Sequence, residues 1–117
     1  MSFSHDMPDI FVFGSNRQGR HGKGAALTAK QQYGAVYGQA HGLQGNSYAI
    51  VTKELRSSHA PVSYSELARN IRVFLIFAND HPELHFNITR VGCGLAGFNW
   101  DDVHPLFLPL PSNCTFI

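Results

Sequence analysis

The chain has 117 residues, a formal net charge of +1 at pH 7 and 44% hydrophobic residues. This length predicts one domain, and the small net charge argues against nucleic acid or a membrane surface as the main partner. No apolar stretch is long enough to span a membrane, and residues 1–8 lack the parts of a signal peptide. We therefore expect a cytoplasmic protein with a lead-in over residues 1–8 and a single domain over residues 9–117.

The two cysteines, Cys93 and Cys114, are far apart in the chain and form no C-x-x-C motif. This spacing predicts neither a disulfide framework nor a zinc site. His81 and His85 are separated by Pro82 and would not share a helical face. We therefore expect no metal site and no cofactor.

The stretch from residue 10 to residue 26, IFVFGSNRQGRHGKGAA, predicts a strand, a glycine-rich loop and the start of a helix. A strand is predicted over residues 9–13. Its last four residues are apolar, β-branched or aromatic, which is typical of a strand buried on both faces of a parallel sheet. Glycines at four loop positions permit positive φ and close approach to a ligand, and the helix start offers free N–H groups. These glycines are Gly14, Gly19, Gly22 and Gly24. The stretch therefore predicts an anion site.

The helix that begins after Gly24 has apolar residues on one face and is closed by Gly34 as a left-handed cap. Residues 35–46 contain three glycines and weak periodicity, which indicates a long surface connection. A second strand is predicted over residues 47–52, ending at Lys53. The polar stretch after it, to residue 62, predicts a loop.

Ser63 and Glu66 have the S-x-x-E spacing of a capping box, in which hydroxyl and carboxylate each bind a free N–H of the first turn. The helix behind it is predicted to run to about residue 79, because apolar residues recur at helical spacing. These residues are Leu67, Ile71, Phe74, Leu75 and Ala78.

Residues 84–91 alternate well enough to predict a third strand, with Phe86 and Ile88 on one face. A second glycine loop follows over residues 92–97. Asn99 is then predicted to cap a short helix over residues 100–107, whose far end Pro105 disturbs. Residues 113–117 are predicted to add a last strand.

This order of elements predicts a three-layer α/β domain with a mostly parallel sheet. Ligands of such folds bind at the carboxyl ends of the strands, and both glycine loops and Lys53 fall at that edge. Gly14 and Gly19 have the spacing of a P-loop, but Arg20 and His21 follow where that motif requires Lys and Ser or Thr. Nucleoside triphosphate hydrolysis is therefore not predicted, and one glycine loop alone is also consistent with a simple crossover turn.

Several polar residues near these loops have two interpretations each. Lys53 is either a solvated surface lysine or a partly desolvated one, which neutralises phosphate or acts as an amine nucleophile toward a sugar carbon. Asn16 either binds sugar hydroxyls or forms an Asx turn within the loop. His21 either binds phosphate or transfers a proton, or it is an ordinary solvated loop histidine.

The residues of the second loop have similar alternatives. Cys93 has no obvious basic partner in sequence, which favours a small buried residue over a nucleophile. Phe98 and Trp100 either stack on a base or ribose or cover the core. Asp101 and Asp102 open the short helix, where carboxylates favour the helix dipole, with catalysis as the lesser alternative.

The strand, loop and helix FVFGSNRQGRHGKGAALTAKQQYG resemble the first ligand loop of macrodomains. VTKELRSSHAP and TRVGCGLAGFNWDDV resemble the corresponding segments of terminal ADP-ribose protein glycohydrolase and of its bacterial antitoxin relatives. The similarity runs over residues 9–107 and suggests a small bacterial or phage-type relative. It implies a compact α/β/α macrodomain-like fold with a mostly parallel or mixed sheet and an ADP-ribose cleft.

The resemblance also implies roles for residues at matching positions. Lys53 matches the lysine that attacks the distal ribose and releases a carboxylate side chain, so it is the predicted catalytic residue. The predicted ligand-binding residues are Gly14, Ser15, Asn16, His21, Gly22, Lys23, Gly24 and Ala25 in the first loop, and Gly92, Cys93, Gly94, Leu95, Ala96, Gly97 and Phe98 in the second.

Two departures from the family pattern bear on function. Ala96 occupies the position of the family's catalytic aspartate, and the G-D-[IL] strand that contacts adenine is absent, unless Asp6 or Asp9 replaces its carboxylate. Three hypotheses follow: a binder of ADP-ribose or a related NAD-derived nucleotide that also hydrolyses ADP-ribose esters, a non-catalytic reader of such ligands or of ADP-ribosylated protein, and a scaffold without ligand. The sequence indicates no oligomeric state.

Overall fold

A computed structural model of the chain describes residues 9–54 and 60–117. The predicted lead-in and the middle of the predicted 54–62 loop lie outside the described residues. The elements are β1 (Ile10–Asn16), α1 (Gly24–Gln32), β2 (Gly42–Gln44), β3 (Ser47–Lys53), α2 (Tyr64–Asp80), β4 (Phe86–Ile88), α3 (Trp100–Val103), a 3-10 helix (His104–Phe107) and β5 (Cys114–Phe116). Within the described ranges, no helix is both long enough and apolar enough to cross a membrane.

The strands form one sheet in the order β2-β3-β1-β4-β5. The central strand β1 pairs in parallel with β3 on one side and with β4 on the other, and β5 is parallel to β4. Among the five strands of the described residues, β2 alone is antiparallel to its neighbour, β3. This arrangement confirms the expected mostly parallel sheet, and it places the carboxyl ends of β1, β3 and β4 at one edge.

Helices cover both faces of the sheet, which confirms the three-layer arrangement. On one face, Phe13 and Ala49 pack with Ala29 of α1, and small residues on α1 allow its backbone to approach the strands. On the other face, Ile10 and Val12 belong to the larger core that α2 covers. Successive β1 residues therefore point into different layers, as the period of a strand requires.

The helix α2 begins as predicted, but only half of the expected capping box forms. The Ser63 hydroxyl accepts a hydrogen bond from the Glu66 N–H at 3.1 Å. The Glu66 carboxylate does not return to Ser63, because it accepts a hydrogen bond from the Arg17 guanidinium instead. The buried face of α2 matches the apolar period read from the sequence: Leu67, Ile71, Phe74 and Ala78.

The prediction that residues 35–46 form only a connection was wrong. Residues Gly42–Gln44 form β2, which pairs with β3 through the two-residue loop Gly45-Asn46. A three-residue strand is too short to show periodicity, but Gly-Asn between two strands is a recognised hairpin signal. This loop could therefore have been found from sequence.

Other element boundaries differ by a few residues. β1 extends to Asn16 instead of residue 13, because Gly14 and Ser15 continue the pairing with β3. β4 is shorter than predicted, since the Val91 N–H donates to the Thr89 carbonyl at 2.8 Å and turns the chain. The helix over residues 100–107 changes to a 3-10 helix after Val103, and Pro105 within it has no N–H to continue an α-helix.

Gly19 occupies a position in the first loop that only glycine fits. Its φ is +65°, and a Cβ built there would lie 2.6 Å from the carbonyl carbon of Gly38. The two residues also share a hydrogen bond, in which the Gly38 N–H donates to the Gly19 carbonyl at 2.8 Å. Gly38 itself has φ +96°, yet a Cβ there would meet nothing within 4 Å.

We expect Gly19→Ala to lower the free energy of unfolding more than Gly38→Ala. Both substitutions place an alanine in the left-handed region, which costs about 1–2 kcal/mol. Only Gly19→Ala also brings a Cβ into contact with the backbone at residue 38, which costs a further ~1–3 kcal/mol. Urea denaturation of the two variants measures the difference. Equal losses would show that the contact between the first loop and residue 38 is not rigid.

Candidate functional site

A cleft of about 390 Å³ lies at the carboxyl ends of the parallel strands. Both predicted glycine loops and the end of β3 line it, and they meet there because β3, β1 and β4 are parallel neighbours. Of the residues predicted from sequence, those that line the cleft are Gly14, Ser15, Asn16, Gly22, Lys23, Gly24, Ala25, Lys53, Gly92, Gly94, Leu95 and Ala96.

The Asn16 side chain holds the first loop in shape. Its Oδ1 accepts hydrogen bonds from the backbone N–H groups of Gln18 and Arg20 at 3.1 and 3.0 Å. Its Nδ2 donates to the Arg20 carbonyl at 3.0 Å. Of the two interpretations of Asn16, the structure therefore shows the Asx turn. The Asn16 amide is part of the cleft wall, and both its oxygen and its nitrogen form hydrogen bonds with the loop backbone.

Ser15 and Thr52 join the two strands under the cleft. The buried Ser15 hydroxyl donates to the Ala40 carbonyl at 2.6 Å, and the Thr52 hydroxyl donates to the Ser15 carbonyl at 3.2 Å. These bonds connect β1 with β3 and with the segment after α1. The cleft floor is therefore fixed by the fold before any ligand enters.

The second loop packs directly on β1 at Gly14. A Cβ on Gly14 would lie 3.1 Å from the Thr52 hydroxyl oxygen and 3.3 Å from the Gly92 nitrogen. The loop closes on itself, since the Phe98 N–H donates to the Gly92 carbonyl and the Gly97 N–H to the Gly94 carbonyl. Gly14 therefore lies within the extended strand β1, where the lack of a side chain lets the second loop approach closely. The positive φ that its predicted position in a loop suggested is not present.

The charged side chains that line the cleft are all cationic. They are Arg20, Lys23, Lys53 and Arg90, and no Asp or Glu of the described chain lines it. Lys53 is only 6% exposed, so the interpretation as a solvated surface lysine was wrong. The cleft is therefore suited to an anion.

The start of α1 adds a further attraction for negative charge. The N-cap residue Lys23 makes no side-chain cap hydrogen bond, and the first turn contains no acidic residue. The first N–H groups of a helix have no intrahelical acceptor, and they carry the positive end of the helix dipole. Gly24, Ala25 and Ala26 of this turn line the cleft.

Arg17 anchors the base of the first loop outside the cleft. Its guanidinium donates to the carboxylates of Glu54 and Glu66, and these hydrogen bonds hold the pKa of both carboxyls below their usual value. Its backbone N–H donates to the Lys53 carbonyl at 3.2 Å. The loop is therefore joined to the end of β3 and to the first turn of α2.

His21 was predicted to bind the ligand, but the structure places its side chain in the protein interior. The interpretation as a solvated histidine was wrong, because the ring is fully buried and packs edge-on against Phe13 at 5.2 Å between centroids. It does not line the cleft, and neither ring nitrogen has a partner at normal hydrogen-bond geometry, although the Gln39 backbone lies close enough to act on the ring. Burial lowers the pKa of His21, an effect that the Gln39 backbone opposes and the charge of Lys30 reinforces.

Three predicted residues of the second loop also do not line the cleft: Cys93, Gly97 and Phe98. Cys93 is partly buried against the core, and burial raises the pKa of its thiol, which supports the structural interpretation. Phe98 and Trp100 pack against the same core, so of the two interpretations the structure has the one in which they cover it.

The acidic candidates lie away from the cleft. Asp101 and Asp102 occupy the first turn of α3, where the Asn99 side chain caps the helix at 2.9 Å. Asp9 precedes β1 at the opposite end of the strand, where its carboxylate accepts a hydrogen bond from the Asn87 amide, and it does not line the cleft. Asp6 lies outside the described residues. Among those described, no cluster of three His, Cys, Asp or Glu side chains is arranged to hold a metal ion.

Seven further residues that line the cleft were not predicted from the sequence. They are Gln18, Arg20, Ala26, Thr52, Thr89, Arg90 and Val91. Thr89, Arg90 and Val91 come directly before the second glycine loop, and the rule that ligands bind at strand carboxyl ends applies to them as well. Arg90 also lies over the Trp100 ring, with 5.8 Å between the guanidinium carbon and the ring centroid.

We expect stability to fall as the pH drops below about 6.5, partly because of His21. Its pKa is lowered in the folded state, so at lower pH the unfolded chain takes up a proton that the folded chain does not. His21→Leu should therefore lose less melting temperature than the original protein between pH 7 and pH 5. His41→Leu, which changes an exposed histidine, is the control. Identical pH profiles for the original protein and His21→Leu would contradict this expectation.

Comparisons with known proteins identify a fold and no sequence family. No protein-family model matches the chain, and no curated protein matches its sequence. The macrodomain of Mycobacterium tuberculosis DarG superposes with a TM-score of 0.67 at 21% identity, covering 93% of this chain and 88% of that one. A macrodomain protein from Streptomyces coelicolor gives a TM-score of 0.61 at 17% identity, covering 94% and 87%.

A protein of unknown function from Bacteroides thetaiotaomicron is also similar, with a TM-score of 0.58 at 20% identity over 85% of this chain and 78% of that one. The fold is therefore macrodomain-like, as the resemblance of the two loop segments predicted. The narrower likeness to terminal ADP-ribose protein glycohydrolase remains a prediction.

Proposed function

We propose that the cleft binds ADP-ribose or a related NAD-derived nucleotide. The observation that carries the proposal is the convergence of two glycine loops, a helix start and four cationic side chains, without a described carboxylate, on one cleft. A nucleoside diphosphate sugar brings two negative charges and a chain of phosphate oxygens, which such a surface accommodates. The volume of about 390 Å³ lies within the usual range of small-molecule sites.

The diphosphate is the part of the ligand that this surface explains best. Residues of the first turn of α1, whose N–H groups have no intrahelical acceptor, line the cleft together with residues of the second loop. Gly94 leaves this space open, because a Cβ there would meet nothing within 4 Å. Leu95 is 54% exposed at the cleft wall and offers an apolar contact for a ribose or base.

Gly94→Glu tests the binding proposal. The variant should fold normally, because the added Cβ meets no neighbouring atom within 4 Å. The glutamate would occupy the proposed phosphate region and repel phosphate, so calorimetry should show the affinity for ADP-ribose reduced at least tenfold. Gly94→Gln is the matched control, since it adds similar bulk without charge and should retain more affinity. Unchanged affinity in Gly94→Glu would exclude the second loop as the phosphate site, and absence of binding by the original protein to any ADP-ribose compound would favour a scaffold.

We further propose that the protein removes ADP-ribose from acidic side chains through Lys53. The supporting observation is that Lys53 is nearly buried at the end of β3 and lines the same cleft. In the proposed step the Lys53 ammonium first gives a proton to water, and the neutral Nζ then bonds to the anomeric carbon of the distal ribose while the bond from that carbon to the carboxylate oxygen breaks. The carboxylate leaves with the electron pair, the nitrogen gives its proton to water, and water later hydrolyses the sugar from Lys53.

Lys53→Ala should abolish release of ADP-ribose from a glutamate-modified peptide while leaving much of the binding. Lys23→Ala is the matched control, because it removes an exposed cation from the same cleft and should weaken binding without ending turnover. The two variants are compared by turnover of the modified peptide and by calorimetric binding of ADP-ribose. Mass spectrometry tests for a sugar adduct on Lys53. Unchanged turnover in Lys53→Ala would exclude the covalent step.

A non-catalytic reader of ADP-ribosylated protein is the second candidate. Ala96, which replaces the expected acid, lines the cleft and is 8% exposed, so no carboxylate is supplied from that position. Loss of a positioned acid or base lowers rates on the order of 10²–10⁴-fold. Calorimetric binding of ADP-ribose without any product release from the modified peptide would favour the reader.

A further inference from the structure

A second concave surface lies on the α2 side of the sheet, between α2 and the segment that follows α3. We define this α2 groove by Arg69, Arg72, Leu75, Ile76, Leu106 and Leu108, and it is a shallow, open depression with a volume of about 560 Å³. It shares no lining residue with the cleft. Whatever binds there therefore contacts different residues from a nucleotide in the cleft.

The walls of the α2 groove are apolar and partly exposed. Ile76 on α2 is 55% exposed and Leu108 on the facing segment is 49% exposed. Leu75 and Leu106 continue this surface inward, because they pack against the core. Single exposed apolar residues are ordinary on protein surfaces, but apolar residues on two facing walls form a surface that a partner can bury.

The charges of the α2 groove have one sign. Arg69 and Arg72 are exposed and three residues apart on α2, so they lie side by side on the helix surface. Among the described residues, neither forms a salt bridge, whereas Arg17 binds two carboxylates. No described Asp or Glu lines the groove. The charge of Arg69 helps to lower the pKa of the Glu66 carboxyl, so Arg69 has a weak acidic neighbour within the chain. Because neither arginine is held in a salt bridge, both can still pair with carboxylates from outside the chain.

The size of the α2 groove limits its occupant. Its lining residues on α2 span residues 68–79, which at a rise of about 1.5 Å per residue is ~16 Å, or three helical turns. A helix of similar length would cover this surface. An apolar wall with only two cations matches neither a nucleic acid nor a membrane surface, which need broad cationic surfaces.

We propose that the α2 groove binds a short acidic amphipathic helix of another protein. Its apolar side chains pack against Ile76 and Leu108, and its carboxylates pair with Arg69 and Arg72. The bound helix buries the apolar walls and the charge pairs determine its orientation, in the way that helix-in-groove recognition operates. This inference stands independently of the nucleotide proposal.

The test uses a panel of fluorescein-labelled 14-residue helical peptides with leucine at i, i+3, i+4 and i+7 and glutamate elsewhere, together with versions that carry lysine in place of glutamate. Fluorescence anisotropy with the full chain should show micromolar binding of the glutamate peptides and at least tenfold weaker binding of the lysine peptides. Added salt should weaken the glutamate complex. Failure of every glutamate peptide, or equal binding of the lysine peptides, would overturn the proposal.

Two groove variants and one matched control locate the binding. Arg72→Glu and Ile76→Glu should each reduce affinity at least tenfold, with melting temperatures near that of the original protein because both residues are exposed. Val36→Glu makes the same apolar-to-acid change at a residue that is 50% exposed after α1, and it should bind the peptide normally. Equal weakening by Val36→Glu, or a self-association that Ile76→Glu abolishes, would overturn the proposal.

Discussion

Parallel pairing of β1 with a strand on each side is the constraint from which the cleft follows. Because β3 and β4 both run in the direction of β1, the chain leaves all three strands at the same edge, where the first loop, Lys53 and the second loop meet. Burial of both faces of β1 keeps this arrangement in place, since Phe13 and Val12 fill cores on opposite sides. The site is thus a consequence of topology before it is a consequence of any single side chain.

The first loop is held in shape by intramolecular hydrogen bonds. Asn16 uses its amide on the loop backbone, Ser15 holds the segment after α1, and Arg17 joins the loop to two carboxylates. His21 supports the same loop differently, as a buried ring that packs edge-on against Phe13. A cleft built in this way needs little rearrangement to receive a ligand, because the cost of ordering the loop is met during folding.

The cleft and the α2 groove differ in the groups that accompany their cationic side chains. The cleft combines backbone N–H groups with four cations and suits a compact polyanion such as a nucleotide diphosphate. The α2 groove combines two arginines with apolar walls and suits carboxylates attached to an apolar helix. A small net charge of +1 for the whole chain conceals this division, because acidic residues elsewhere, including Glu54 and Glu66, balance the total.

The sequence by itself determined the layers, the amphipathic α2, the parallel strands and the two glycine loops, because apolar period and glycine spacing are local properties that tertiary contacts did not override. Only the tertiary structure decided which loop residues line the cleft. Sequence neighbours of a loop point in different directions, so His21 turns into the core while Arg20 lines the cleft. It also decided that Glu66 binds Arg17 instead of closing the capping box, because Arg17 is distant in sequence and reaches α2 only after the sheet has formed.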